Sequence, residues 1–150
     1  MTFVSTWIPM LVGTIAIAFT IVVHSGALIA NIHLVRRERR LGHLGAGFWV
    51  DLRLVFVAMM LALAAHLIEI GVWALLFMRS GEFQAFGIAF YHSAMNYTTL
   101  GYGDIVMSPA WRLLGPLEAM DGLLMAGVST AMIFAVILRL VETRFPDLRR

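Results

Sequence analysis

The chain has 150 residues, 61% of them hydrophobic and only 13% charged, and its eleven basic residues, all Arg, set against nine acidic ones leave a net charge of +2. A soluble domain is nearer half apolar, so this composition makes the bilayer the natural solvent for most side chains. Cysteine is absent, which excludes disulfides and thiolate metal sites. The arginines flank apolar runs and form no stripe, which argues against a nucleic-acid partner.

In chain order, the N-terminus lacks the basic start and small-residue cleavage site of a signal peptide, so the first apolar segment is expected to stay in the mature protein. Three apolar runs follow: Trp7 to Val35, Leu54 to Met78 with His66 and Glu69 inside it, and Leu113 to Leu138 with Glu118 and Asp121 inside it. Each exceeds the roughly 20 residues that cross a hydrocarbon core. Each should be a helix, because a crossing segment must satisfy its own backbone. The fold class expected is therefore an all-α membrane protein with three transmembrane helices. Between the second and third runs, Phe83 to Tyr97 is apolar but too short to span. A re-entrant segment of this kind survives only when surrounded by protein or by a water-filled cavity.

Arginine placement fixes an expected orientation. Arg36, Arg37, Arg39, Arg40 and Arg53 lie between the first two runs, and Arg139, Arg144, Arg149 and Arg150 follow the third. Only Arg79 and Arg112 lie elsewhere. The positive-inside rule puts residues 36–53 and the C-terminus in the cytoplasm, with the N-terminus outside, in a plasma or inner membrane. Arg36, Arg37, Arg39 and Arg40 also suit the anionic headgroups of the inner leaflet.

The stretch Thr98-Thr99-Leu100-Gly101-Tyr102-Gly103-Asp104 decides what the short segment is for. Gly and Asp alone would make an ordinary turn. With Thr98 and Thr99 before them and a short apolar segment upstream, residues 98–104 resemble the selectivity filter of the potassium-channel pore family. Leu100 stands where Val or Ile is more usual. The order of outer helix, pore helix, filter and inner helix resembles the family over about residues 54–140.

The resemblance implies a re-entrant pore helix over Ala85–Tyr97 and a four-fold symmetric homotetramer. Backbone carbonyls of Thr99, Leu100, Gly101 and Tyr102, with the Thr99 hydroxyl, would replace water around K+ ions. Gly101 and Gly103 would supply left-handed dihedrals, and the side chains of Leu100 and Tyr102 would pack behind the strand. Tyr91, His92, Thr98 and Asp104 would support the filter, with Tyr91 placed to hydrogen-bond Asp104. Met95 falls where some members carry a buried Glu, so that carboxylate clamp cannot form here, and packing is the role expected for it.

The division implied is an extra N-terminal helix (1–35), a basic cytoplasmic linker (36–53), a pore module (54–140) and a short tail (141–150). The first run carries no Arg or Lys, so it cannot be a voltage sensor, and no cytoplasmic ligand-binding domain is expected. This helix is expected to pack outside the second one and shield polar surface from lipid.

Intramembrane acids are costly and should face protein or water. Glu69, Glu118 and Asp121 fall within about 6 Å of one another in depth at 1.5 Å per residue. A polar cluster of His66, Glu69 and Glu118 is expected behind the pore helix, with Asn96 as a partner and pH modulation of current as a consequence. Asp121 is expected either in that cluster or turned toward a water-filled cavity. Gly122 and Gly127 are alternatives for an inner-helix hinge or for close helix packing.

The function expected is passive K+ conduction, with no enzyme activity and no organic cofactor. A weakly selective cation channel and a non-conducting regulatory subunit are the nearer alternatives. A membrane haem protein using ligands from among His24, His33, His66 and His92 is a more distant one.

Overall fold

The computed structural model describes residues 4–145, so the end of the tail, with Arg149 and Arg150, lies outside the described residues. Four helices follow one another: α1 (Val4–Arg40), α2 (Phe48–Arg79), α3 (Phe86–Tyr97) and α4 (Leu114–Arg144). α1, α2 and α4 are each long and apolar enough to cross a membrane, which makes this an integral membrane protein of all-α class. All three helices outrun their apolar runs and continue into the zone where headgroups and water meet the chain. The basic linker is therefore mostly helix ends, with only residues 41–47 forming the connection.

Each long helix is amphipathic in the inverted sense, with apolar residues outward and small or polar residues inward. On α1 the buried positions are Pro9, Gly13, Ala16, Thr20, His24 and Asn31. Their spacing of three, four or seven residues places them on one face. Trp7, Leu11, Ile15, Phe19 and Val22 point outward and are at least half exposed. On α2, Ala58, Ala62 and Ala65 let neighbouring helices approach closely. On α4, Leu114, Glu118, Asp121, Met125 and Ser129 continue the inward stripe.

α1 packs against both α2 and α4. It lies in the groove between them instead of merely covering α2, and it contributes residues to the interior of the helix bundle. A Cβ at Gly13 would sit 2.6 Å from the Leu117 side chain of α4. The apolar core has two parts. The larger gathers Trp73, Phe77, Tyr97, Leu114 and Met125. The smaller gathers Leu54, Val136 and Leu140 near the opposite end of the bundle.

α3 is a short helix held on α2 and α4. Beyond it, Glu82 accepts hydrogen bonds from the Ser108 amide (2.7 Å) and hydroxyl (2.6 Å), tying the α2–α3 turn to the chain that follows residue 104. At the other end of the molecule, Asp51 accepts from the Gly45 amide at 3.0 Å and lies 3.6 Å from the Arg144 guanidinium. That contact joins the start of α2 to the end of α4.

Gly122 is a packing position. A Cβ there would fall on the Tyr97 carbonyl oxygen and 2.8 Å from its carbonyl carbon. Nothing lies within 4 Å of a Cβ at Gly127, so the space for bending is there. Gly122→Ala should therefore drive α3 away from α4, at about the 1–3 kcal/mol typical of overpacking. Thermal unfolding in detergent should show a lowered Tm for Gly122→Ala and an unchanged one for Gly127→Ala. Equal midpoints for the two variants would mean that the α3 end slides freely.

Candidate functional site: the residue 98–104 strand and the polar interior behind it

The carbonyls at the end of α3 would be orphaned in an ordinary helix. Here they hold the next segment. The Ala94 carbonyl accepts from the Thr98 amide (3.1 Å) and hydroxyl (2.6 Å), the Asn96 carbonyl from the Thr99 amide (2.8 Å), and the Met95 carbonyl from the Gly101 amide (3.0 Å). Met95, for which packing was the expected role, thus also anchors the strand through its backbone.

The strand alternates in handedness. Thr99, Gly101 and Gly103 have φ of 61°, 54° and 72°, and neither Leu100 nor Tyr102 has a positive φ. In a regular strand successive carbonyls point to opposite sides. A reversal of handedness at every second residue can turn them to the same side. Glycine takes these dihedrals freely. Thr99 does not, because a β-branched residue at positive φ is a genuine outlier. Backbone strain of this kind collects at functional sites. The glycines could be anticipated from the sequence, but the left-handed threonine could not.

The sides of the strand are less enclosed than expected. Leu100 is 53% and Tyr102 68% exposed. Both were expected to pack behind the strand, yet nothing in their own subunit covers them. Support comes from farther along. Tyr91 donates to Asp104 at 2.9 Å as expected, and this bond holds its phenol above the usual tyrosine range. His92 Nδ1 lies 3.1 Å from the Ile105 carbonyl, and its Nε2 lies 3.0 Å from the Asn96 side-chain nitrogen. Those partners fix a neutral tautomer with the proton on Nδ1. Asn96, expected beside the acids, lies next to Glu118 and also directs its amide nitrogen to His92.

The intramembrane acids occupy three neighbouring sites instead of one. Glu69, Glu118 and Asp121 are all 0% exposed. Asp121 accepts from Thr20 (2.8 Å) and Trp73 (2.9 Å). It faces its own subunit, not a cavity, because α1 supplies a donor there. Glu118 meets the Ser93 hydroxyl, which also lies 2.8 Å from the Ile70 carbonyl. Glu69 joins His24 (2.9 Å), the Tyr97 hydroxyl and, more loosely, His66 (3.4 Å).

Ser129 completes this last group, 3.0 Å from His66 Nε2 and 3.1 Å from His24 Nε2. His24, Tyr97, Thr20, Trp73, Ser93 and Ser129 were not assigned to these acids from the sequence. The inward spacing of Thr20, His24 and Asn31 on α1 was the signal that could have shown Thr20 and His24.

The haem alternative does not fit this arrangement. His24 and His66 do come together, with ring centroids 5.1 Å apart. All four ring nitrogens are engaged by Glu69, Tyr97 and Ser129, which leaves no place for a porphyrin between them. His92 is committed to the strand's support, and His33 lies on the exposed side of α1.

Residues 54–139 match a family model described as an ion channel. The match spans α2, α3, residues 98–104 and nearly all of α4, and leaves α1 outside. No curated protein and no solved structure matches the chain.

Burial lowers the His92 pKa below its usual 6.5 despite the opposing Ile105 carbonyl and Asp104 charge. The unfolded chain then takes up this proton more readily than the folded one. The stability contributed by neutral His92 is fully present above about pH 6.5 and is lost as pH falls through the lower folded value. The Tm of the wild type should fall on acidification below this point. His92→Gln, which keeps a donor and an acceptor but does not titrate, should flatten that slope. An equal acid slope in both proteins would show that His92 is not responsible.

Proposed function

Because the chain belongs to this ion channel family, we propose that four copies assemble around one axis and conduct K+ selectively through residues 99–103. The observation that carries the reading is the alternating backbone at Thr99, Gly101 and Gly103, within the order Thr-Thr-Leu-Gly-Tyr-Gly-Asp. Four such strands facing an axis would present rings of carbonyl oxygens that substitute for the hydration shell of a cation. One chain supplies a quarter of each ring, so closed rotational symmetry is part of the proposal. The exposed Leu100 and Tyr102 support it, since a neighbouring subunit would cover what a single chain leaves bare. The C-terminal end of α3 carries the negative pole of its helix dipole, which favours a cation nearby.

K+ is cargo here, and the roles of the residues follow. Thr99, Leu100, Gly101 and Tyr102 offer carbonyls, and Gly103 completes the turn of the strand. Thr98 fixes the strand to α3, while Tyr91, His92 and Asp104 brace its outer end. The 36–53 side and the C-terminus lie in the cytoplasm of a plasma or inner membrane. There Arg36, Arg39 and Arg139, the last paired with Glu142 at 3.2 Å, border a cleft between α1 and α4 that also has an apolar wall of Ile32, Val35 and Met132. This surface suits an anionic lipid.

Reversal potentials in a planar bilayer under K+/Na+ bi-ionic conditions test the proposal. The reversal should follow the K+ gradient. Gly101→Ala, which forces a Cβ onto a left-handed residue at about 1–2 kcal/mol per subunit, should abolish the current. A reversal indifferent to K+ would favour the weakly selective channel. Folded tetramer without current would favour the silent regulatory subunit.

A further inference from the structure

The group behind the pore helix holds one proton too few for its own contacts. Five close contacts link its members: His24 Nδ1 to Glu69 (2.9 Å), Tyr97 hydroxyl to Glu69, His66 Nδ1 to Tyr97 hydroxyl (3.0 Å), His66 Nε2 to Ser129 (3.0 Å) and His24 Nε2 to Ser129 (3.1 Å). Every such contact between nitrogen and oxygen lone pairs needs a hydrogen between them. A neutral imidazole brings one, each hydroxyl brings one, and an ionised carboxylate brings none. With Glu69 ionised and both histidines neutral, the supply is about four for the five contacts of this group.

The looser His66–Glu69 approach at 3.4 Å adds no hydrogen. Without a further one, Ser129 faces two bare imidazole nitrogens and can donate to only one of them. Nothing else relieves the shortage, because Glu69 is 0%, His24 2% and Ser129 6% exposed.

We infer that His24, His66, Glu69, Tyr97 and Ser129 form a binding site for one additional proton, and that its occupancy controls how firmly the filter end of α3 is tied to α1, α2 and α4. One proton satisfies all five contacts. It can sit on His24, donating to Ser129, which then donates to His66. It can also move along the 2.9 Å contact to Glu69, or sit on His66 with the serine hydroxyl reversed. Each arrangement contains the same number of protons and keeps every contact. The bound proton also leaves the group with no net charge in a region where an unbalanced charge is costly.

The other titratable groups facing this interior are Asp121, held by Thr20 and Trp73, and Glu118, held by Ser93, both on α4. His66, with 20% of its side chain exposed against 0% for Glu69, is the least enclosed member of the group and the route by which the proton leaves. On alkalinisation the proton passes there to hydroxide, and lone pair opposes lone pair at Ser129. The contacts between α4 and the two imidazoles then loosen. Tyr97, two residues before Thr99, loses its fixed position.

Ser129→Ala removes two contacts and one proton, so the three contacts that remain have the three hydrogens they need. His66→Phe removes a different pair of contacts and restores the same balance, and serves if the alanine variant fails to fold. Selective 15N labelling of histidine in the lipid-reconstituted full chain reads the protons directly, with His24 and His66 assigned by single-site variants. In the wild type the two rings should respond together in one single-proton step as pH rises, and that step should be missing from Ser129→Ala. Two independent steps, no step in the wild type, or an unchanged step in Ser129→Ala overturns the inference.

A second readout rests on the channel function proposed above. K+ flux into liposomes, with equal pH on both sides, should fall about tenfold per pH unit beyond the midpoint of the NMR step, the slope of a one-proton equilibrium. Flux through Ser129→Ala should not vary over that range. Wild-type flux that ignores pH while the NMR step is present overturns the control of the filter. Absence of flux at every pH, with the NMR step intact, defeats the channel function and leaves the proton site standing.

Discussion

Everything in this subunit follows from one constraint: inside a bilayer no water is available to satisfy a polar atom, so each must find its partner in the protein. The chain places Thr20, His24, Asn31, His66, Glu69, Glu118, Asp121 and Ser129 within membrane-crossing helices. A sequence so apolar would pack more simply without them. Their convergence dictates which helix faces turn inward. It draws α1 into the groove between α2 and α4, and, apart from the core around Trp73 and Phe77, it leaves most of the larger apolar side chains facing outward. Packing among the small residues Gly13, Ala16, Ala58, Ala62 and Gly122 allows the approach that such short side chains need in order to meet.

The same constraint connects the interior to the strand at residues 98–104. Tyr97 closes α3, its hydroxyl enters the polar interior, and its carbonyl abuts Gly122. Beyond it the end carbonyls of α3 capture the Thr99 and Gly101 amides. The strained, left-handed Thr99 is held by a helix end that is itself fixed from behind by α2 and α4. The outer end is braced separately, through Tyr91 to Asp104 and His92 to Ile105.

Much of this was legible in the sequence, for physical reasons that differ by element. The three long helices announce themselves because a bilayer demands length and apolarity. α3 was placed within a residue of its start because an apolar segment too short to cross precedes a distinctive strand. The Tyr91–Asp104 bond followed from the resemblance of that strand. The partners of the acids were harder. Depth along a helix can be counted, but rotation about its axis depends on what a neighbour offers, and α1 was expected only to cover α2 from outside. The choice for Asp121 between the cluster and a cavity therefore stayed open, and Thr20 and Trp73 decide it by meeting the acid inside. The handedness of Thr99 was beyond reach because nothing in threonine favours it. The surrounding hydrogen bonds impose it.

The position of α1 also decides what kind of unit this chain is. The match to the ion channel family begins at residue 54, which invites the view that the first helix is an ornament on a self-sufficient pore. Thr20 and His24 argue otherwise, since they are donors to two wholly buried carboxyl groups that belong to the matched part. A shortened chain would uncover both acids and take one partner from each, leaving Asp121 with Trp73 alone and Glu69 with Tyr97 and His66. The boundary seen by sequence comparison is thus not a seam along which the molecule can be cut. Without the leading helix, positions 69 and 121 would be the places where the remaining fold is least well satisfied.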